Sequence, residues 1–360
     1  MGLIDNVGRK LKEDVENVLL TPVETVQSWR NTVDAVQRGE VPASEVVKVI
    51  LATLASLAMV LALLFPIYWI LTAAIAGSGS SLYTSESIRL FPQNPTLRPF
   101  IWVVGDLIVP SYTVSVGVPL TDLAVVTQTP SLTLLDASNY GVESPSAFKQ
   151  YLWNSITVAI PTVLIAMSLI IPASYALSRK EFIYRRKVLF LYVLLTQVGG
   201  GLGVALLIGM YAIYVQFGIN NSKLALAVFY AATAVPFNTW LLKTYMDGIP
   251  VSYEEAAVVD GAPPWRVVTE VILPMSAAGL ATIFIFIFLT GWTEFVVAQT
   301  LLGTENYTLP VGLYSLVGEY SIPWARFSAF ALTFAFPIML VYLFAQRYIE
   351  GGLSFSGMEG

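Results

Sequence analysis

The residues with the clearest chemistry lie in one short run, Pro250-Val-Ser-Tyr-Glu-Glu-Ala-Ala-Val-Val-Asp-Gly-Ala-Pro-Pro-Trp-Arg, ending at Arg266. That chemistry is recognition. Ser252 and Glu255 have the spacing of a capping box, which predicts a helix of about two turns. Gly261 accepts the left-handed backbone that stops such a helix. Pro264 suits the first turn of a second helix, expected over 265–272 and leading through Leu273-Pro274 to a longer apolar stretch. Ala256 and Ala257 give the first helix a small face that another protein can approach closely. Glu254, Glu255 and Asp260 supply charges to pair.

A second group lies inside apolar stretches: Asn238, Trp292 and Glu294. A carboxylate within a membrane costs roughly 2.5–3.5 kcal/mol on insertion scales, so it faces a cavity or a partner. Trp292 offers a stacking face and Asn238 an amide, groups that can line a polar translocation pathway. The competing reading makes all three hydrogen-bonding glue between helices. The chain has no histidine and no cysteine. That excludes thiol nucleophiles, disulfides, His/Cys zinc sites and imidazole acid–base chemistry. No catalytic residue, metal site or cofactor site is expected in this chain. No Gly-x-x-x-x-Gly-Lys-Ser/Thr phosphate loop occurs. The run Gly199-Gly200-Gly201-Leu202-Gly203 lacks the βαβ context of a dinucleotide site, and reads as a closely packed or flexible point in an apolar span.

The elements that must position these residues are set by composition. Apolar residues make up 56% of the 360 and charged residues 12%, against about 25% charged in soluble proteins. Mean hydropathy is +0.70. Lipid must be the solvent for much of that surface. Six runs reach the length of a membrane span: Val46–Ala76, Leu152–Leu177, Val188–Phe217, Leu224–Tyr245, Ala277–Leu302 and Phe327–Tyr348. Backbone in lipid must satisfy its own hydrogen bonds, so all six are expected as helices, and the fold class is all-α integral membrane. The net charge of −5 argues against a nucleic-acid partner.

The cluster Arg179, Lys180, Arg185, Arg186 and Lys187 places the link between spans two and three in the cytoplasm. Both termini and the run around 246–275 then lie inside, and 77–150, 218–223 and 303–326 outside. The organisation expected is a cytoplasmic helical extension (1–45), a first span (46–76), an extracytoplasmic loop or small cap (77–150), a core (151–348) carrying the elbow at 250–274, and a cytoplasmic tail (349–360). The extension has apolar stripes at helical spacing, such as Leu3, Val7, Leu11 and Val15, and no secretory-signal stretch. Its helices are expected to rest on the membrane surface or on the bundle. Val114, Val116 and Val118 alternate with small residues, which predicts a strand in the outer segment. Asn220-Asn221-Ser222 and Asn306-Tyr307-Thr308 match the N-glycosylation pattern.

The spacing Glu255-Ala256-Ala257, three residues, Gly261, then Leu273-Pro274 resembles the EAA signature of ABC importer permeases, with Val271 where isoleucine is usual. Further runs resemble the carbohydrate-uptake, maltose-type (MalG-like) branch. They include Tyr151-Leu152-Trp153-Asn154-Ser155, Pro236-Phe237, Trp240-Leu241-Leu242, Trp292-Thr293-Glu294-Phe295 and Thr308 to Leu313. The tail from Gly352 to Gly360 also resembles that branch, but Glu359 stands where a lysine is usual. The resemblance covers roughly residues 138–360. It implies a type I importer core whose EAA helix, through Glu255, Ala256, Ala257, Asp260 and Gly261, couples to a separate ATPase. It also implies two ABC ATPase subunits holding ATP and Mg, a second homologous permease and an extracytoplasmic sugar-binding protein. The function expected is the permease subunit of an ATP-driven sugar importer in the cell membrane, working by alternating access. The alternatives are an importer of another solute such as a peptide, an ion-coupled secondary transporter, and a membrane enzyme. No internal repeat supports the second, and little available chemistry supports the third.

Overall fold

The computed structural model describes residues 43–77, 90–109, 113–117, 124–128, 132–201, 203–318 and 322–356. The stripes expected over 1–45 therefore lie outside the described residues up to position 42, as do positions 357–360 of the tail. The chain divides into two compact units, 1–69 and 70–360. In the first, the described residues belong to helix α1, Ala43–Ala74, which ends in the second. Its apolar run Val47–Ala74 is 28 residues long, enough to cross a bilayer.

The second unit begins with a small irregular layer. Helix α2 is Arg98–Val104. Strand β1 (Leu107–Val109) pairs antiparallel with β4 (Leu132–Leu135), and β2 (Thr113–Gly117) with β3 (Ala124–Gln128). The strand expected from Val114, Val116 and Val118 is β2 over the first two, and position 118 lies outside the described residues. Four long helices follow: α3 (Phe148–Arg179), α4 (Arg185–Gly201), α5 (Gly203–Gln216) and α6 (Lys223–Asp247). The third expected span, Val188–Phe217, is helical on both sides of position 202, which lies outside the described residues.

After α6 come the short helix α7 (Ser252–Val259) and a helical rod, α8 (Pro264–Met275). The middle of α8, Val267–Ile272, is wound as π-helix. The rod meets α9 (Ala277–Thr293) at a bend of 80°. The fifth expected span breaks again at Glu294-Phe295 before α10 (Val296–Leu301). Helix α11 is Leu309–Tyr314, and α12, Trp324–Ser356, closes the fold. Among the described residues, four helices are long and apolar enough to span a membrane outright, and the bent pair α8–α9 supplies a fifth path.

Three buried clusters hold the bundle. Trp102, Phe148, Trp292, Leu309 and Phe330 pack where α3 begins. Ile170, Leu242, Met246, Ile272, Ile283 and Ile287 pack toward its far end. Leu226, Tyr230, Ala298, Leu301 and Val311 form the third. Lipid tails are as apolar as leucine, so polar links add specificity: Ser174 Oγ donates to the Thr239 carbonyl at 3.0 Å.

Candidate functional site

The elbow α7–α8 is built from its own sequence. Helix α7 ends in a Schellman motif. The Ala262 N–H donates to the Ala257 carbonyl at 2.9 Å and the Gly261 N–H to the Val258 carbonyl at 3.0 Å. Gly261 adopts φ +82°, a conformation that costs residues with a Cβ roughly 1–2 kcal/mol. Pro263 is the N-cap of α8 and Pro264 its first residue, as a ring with fixed φ and no N–H favours. The start of α7 differs from expectation. Val251 is its N-cap, Ser252 is already helical, and no side chain caps it. The capping box does not form because the helix begins one residue earlier than that pattern requires.

Glu255, Ala256, Asp260 and Gly261 are exposed and Ala257 is half-buried. Val259 is 86% exposed beside them. They form one projecting surface, with two carboxylates flanking small residues. Glu254 behaves differently from its neighbours. It is 8% exposed and turned into the protein, where its Oε1 is ion-paired with Arg179 Nε. Tyr175 donates its hydroxyl to Glu254 Oε2 at 3.1 Å, and Arg179 Nη2 donates to the Ile249 carbonyl at 2.8 Å. Arg179 is the last residue of α3, so the pair ties the elbow to that span. The sequence counts Arg179 only as a topology signal, because the 75 residues separating the partners leave no local trace. The rod α8 is seated by buried Val267 and Ile272, and Gly279 allows close approach just past the bend. A Cβ there would lie 2.6 Å from the Tyr245 ring.

The structure places Asn238, Trp292 and Glu294 on two helices and a break. Trp292, 3% exposed, is stacked between Phe288 and Phe334 at centroid distances of 5.3 and 6.3 Å. Its Nε1 donates to the Phe334 carbonyl at 3.3 Å. Glu294 sits at the break between α9 and α10. It accepts the Tyr230 hydroxyl and the Val297 and Ala298 N–H groups at 3.0 and 3.2 Å. A carboxylate at a helix N-terminus satisfies orphan donors and meets the positive end of the helix dipole. Asn238, 3% exposed, donates Nδ2 to the Ala234 carbonyl at 2.8 Å, while its Oδ1 has no partner among the described residues.

At the opposite end of α3, a polar knot escapes sequence reading. Asn154 Nδ2 donates to the carbonyls of Glu305 and Tyr307, both at 3.0 Å, and Lys223 Nζ donates to Asn154 Oδ1 at 2.9 Å. Asn221, at φ +62°, accepts the Gly303 N–H at 2.7 Å and donates to Glu305 Oε1 at 2.6 Å. The carboxyl of Glu305 is held below its ordinary value by its own backbone N–H and by the Asn221 amide. Asn306 spends its amide on Asn221, and Thr308 is buried. The second glycosylation pattern is therefore engaged inside the fold.

Residues 150–354 match the family described as "Binding-protein-dependent transport system inner membrane component". The chain is 30% identical over 264 residues to the galactooligosaccharides transport system permease protein GanQ of Bacillus subtilis (strain 168), covering 73% of this chain and 90% of that one. It is 34% identical over 216 residues to the maltose/maltodextrin transport system permease protein MalG of Yersinia pestis, covering 58% and 70%. It is 30% identical over 214 residues to the inner membrane ABC transporter permease protein YcjP of Escherichia coli (strain K12), covering 59% and 75%. In fold it is similar, with a TM-score of 0.62 at 19% identity, to a chain of a bacterial ABC transporter involved in the import of the acidic polysaccharide alginate, covering 86% of this chain and 98% of that one. With the family matched over the whole core that carries the elbow, the chain belongs to the binding-protein-dependent transport system inner membrane components, and is a multi-pass membrane permease subunit of the ABC importer type rather than an enzyme.

Proposed function

We propose that this chain is the permease of an ATP-driven sugar importer and that α7 is its coupling helix. The observation that carries the reading is the elbow: exposed Glu255, Ala256, Asp260 and Gly261 beside half-buried Ala257, tied to a membrane helix by the buried Arg179–Glu254 pair. A surface that another protein grips, joined to a span by a desolvated ion pair, transmits motion from one to the other. Two partner ATPases bind ATP and Mg and grip it. A second homologous permease completes the pore, and an extracytoplasmic binding protein delivers the sugar. The names of GanQ and MalG support sugar as the cargo class.

The basic cluster around Arg179–Lys187 supports a cytoplasmic position for the elbow and both termini. The segments then follow as a cytoplasmic extension (1–45), a first span (46–76), an outer cap (77–150), the core (151–348) and a cytoplasmic tail (349–360). Trp292 and Glu294 hold the walls of the pathway through the partners described above. Asn238 Oδ1, buried and without a hydrogen-bond partner among the described residues, is available to meet a hydroxyl in transit.

Proteoliposomes carrying the complex, loaded with ATP, test the reading by uptake of labelled maltotriose delivered with the binding protein. ATP-dependent accumulation is expected. Replacing Glu255 and Gly261 together is expected to leave the protein inserted and ATP hydrolysis running without uptake. Normal uptake by that variant would count decisively against the coupling role.

A further inference from the structure

A cavity of about 620 Å³ opens where α2 and the segment after β4 meet the start of α12, lined by Arg98, Trp102, Gly141, Glu143, Trp324 and Arg326 among others. Its position is fixed by contacts to the start of α3. The Ser146 N–H and Oγ donate to the carbonyls of Trp102 and Val103, each at 2.9 Å. The elbow lies at the far end of that 32-residue helix, about 48 Å away at 1.5 Å per residue. With the orientation proposed above, the cavity faces outward, on the side from which cargo arrives.

Both arginines are held ready. Arg98 Nη2 donates to the Gly141 carbonyl at 2.7 Å. Gly141 makes room for it: a Cβ there would lie 2.2 Å from that nitrogen, and the backbone is at φ +72°. Arg326 lies over the ring of buried Trp102, 5.0 Å from its centroid. Among the described residues neither guanidinium forms an ion pair. Each retains several N–H donors, arranged in a fork that fits a carboxylate or sulfate with two bonds. Glu143 supplies one carboxylate, so the three charged groups sum to +1 in a chain whose net charge is −5. Trp324 is 61% exposed at the rim and keeps a flat apolar face open to water.

We propose that this cavity is a recognition subsite for an acidic saccharide, a sugar bearing carboxylate or sulfate groups. The inference rests on the sugar-importer reading and narrows its cargo. A pyranose has an apolar face for Trp324 and hydroxyls for Glu143. Its anionic substituent takes the two guanidiniums, which donate only and so favour an anion over a neutral hydroxyl. The volume falls within the range of small-molecule sites, about 300–1,000 Å³. Gly77 and residues 141–144 contribute non-helical backbone to the wall, and lipid tails cannot face such backbone.

The test uses the assembled complex in nanodiscs of uncharged lipid, titrated with trigalacturonate, maltotriose and inorganic sulfate and followed by calorimetry. Trigalacturonate is expected to bind more tightly than maltotriose by about tenfold or more, as two charge-assisted bonds allow. Arg98→Gln and Arg326→Gln are each expected to remove most of that preference, and Arg326→Lys to restore part of it. Trp324→Ala is expected to weaken both sugars alike. Equal binding of the two sugars, or acidic-sugar binding untouched by either glutamine variant, overturns the subsite. Competition by an anionic phospholipid headgroup but by no sugar overturns it too, and assigns the cavity to lipid. Uptake of maltotriose alongside either failure leaves the importer reading standing. Loss of uptake of every sugar removes that reading, while the calorimetry still decides the cavity.

Discussion

Arg179 ends helix α3 on the carboxylate of Glu254, 75 residues away, and both side chains are nearly withdrawn from solvent. A buried pair of this kind is held to one geometry, because removing either member strands the other's charge. The small-residue surface that marks the elbow in sequence therefore sits on a helix tied from inside to α3 by this pair.

The first prediction concerns that pair. Arg179→Ala leaves Glu254 unpaired and is expected to destabilise the protein by about 3–5 kcal/mol. The double variant Arg179→Met, Glu254→Leu is expected to recover most of the stability but not transport. Thermal unfolding in detergent, read beside ATP-driven uptake, separates the two effects.

Gly261 gives a smaller effect of different origin. The space around its Cα is open, so Gly261→Ala meets no clash and the cost is the backbone's alone, about 1–2 kcal/mol at positive φ. The expected outcome is a frayed end of α7, seen as faster amide exchange at Ala262, with the rest of the fold unaltered. Gly261→Asn, which tolerates the left-handed region better, is expected to lie between the two.

The Tyr230–Glu294 contact predicts a stability effect without a binding effect. Tyr230→Phe removes one of the bonds to the carboxylate at the α9–α10 break and is expected to cost about 1–3 kcal/mol. Glu294→Gln keeps an acceptor for the N–H groups of Val297 and Ala298 and is expected to be milder than Glu294→Ala. Unfolding midpoints of the three variants check the order.

Acid is expected to loosen the knot around Asn221. The Glu305 carboxyl lies below its ordinary 4.5 in the folded protein. Its contribution is thus complete above that value and is lost as pH falls through the lower, folded one. Amide exchange over residues 302–308 should rise in that window. Glu305→Gln should abolish the pH dependence, and a pH dependence that persists in that variant would contradict the assignment.

Legibility in the sequence followed the range of the forces involved. The stop at Gly261, the restart at Pro264 and strand β2 are local: each follows from backbone preferences of a few adjacent residues. The start of α7 lies one residue before the position the capping-box spacing predicts, because Val251 rather than Ser252 caps it and nothing local separates those choices. The roles of Arg179, Asn154 and Asn221 depend on partners tens of residues away and leave no spacing to read. Glu294 stands out in the sequence for the cost of a carboxylate in lipid, and Trp292 for its stacking face. The sequence left open what satisfies them: a stack of aromatic rings for one, the open end of a short helix for the other.

The two ends of α3 are fastened differently. At one end Asn154 is bonded to the loop at 305–307 and to Lys223; at the other Arg179 grips the elbow. If the elbow is the coupling helix proposed above, a push received there is expected to reach the far face as a tilt of α3 that turns on the hydrogen bonds of the 302–308 loop.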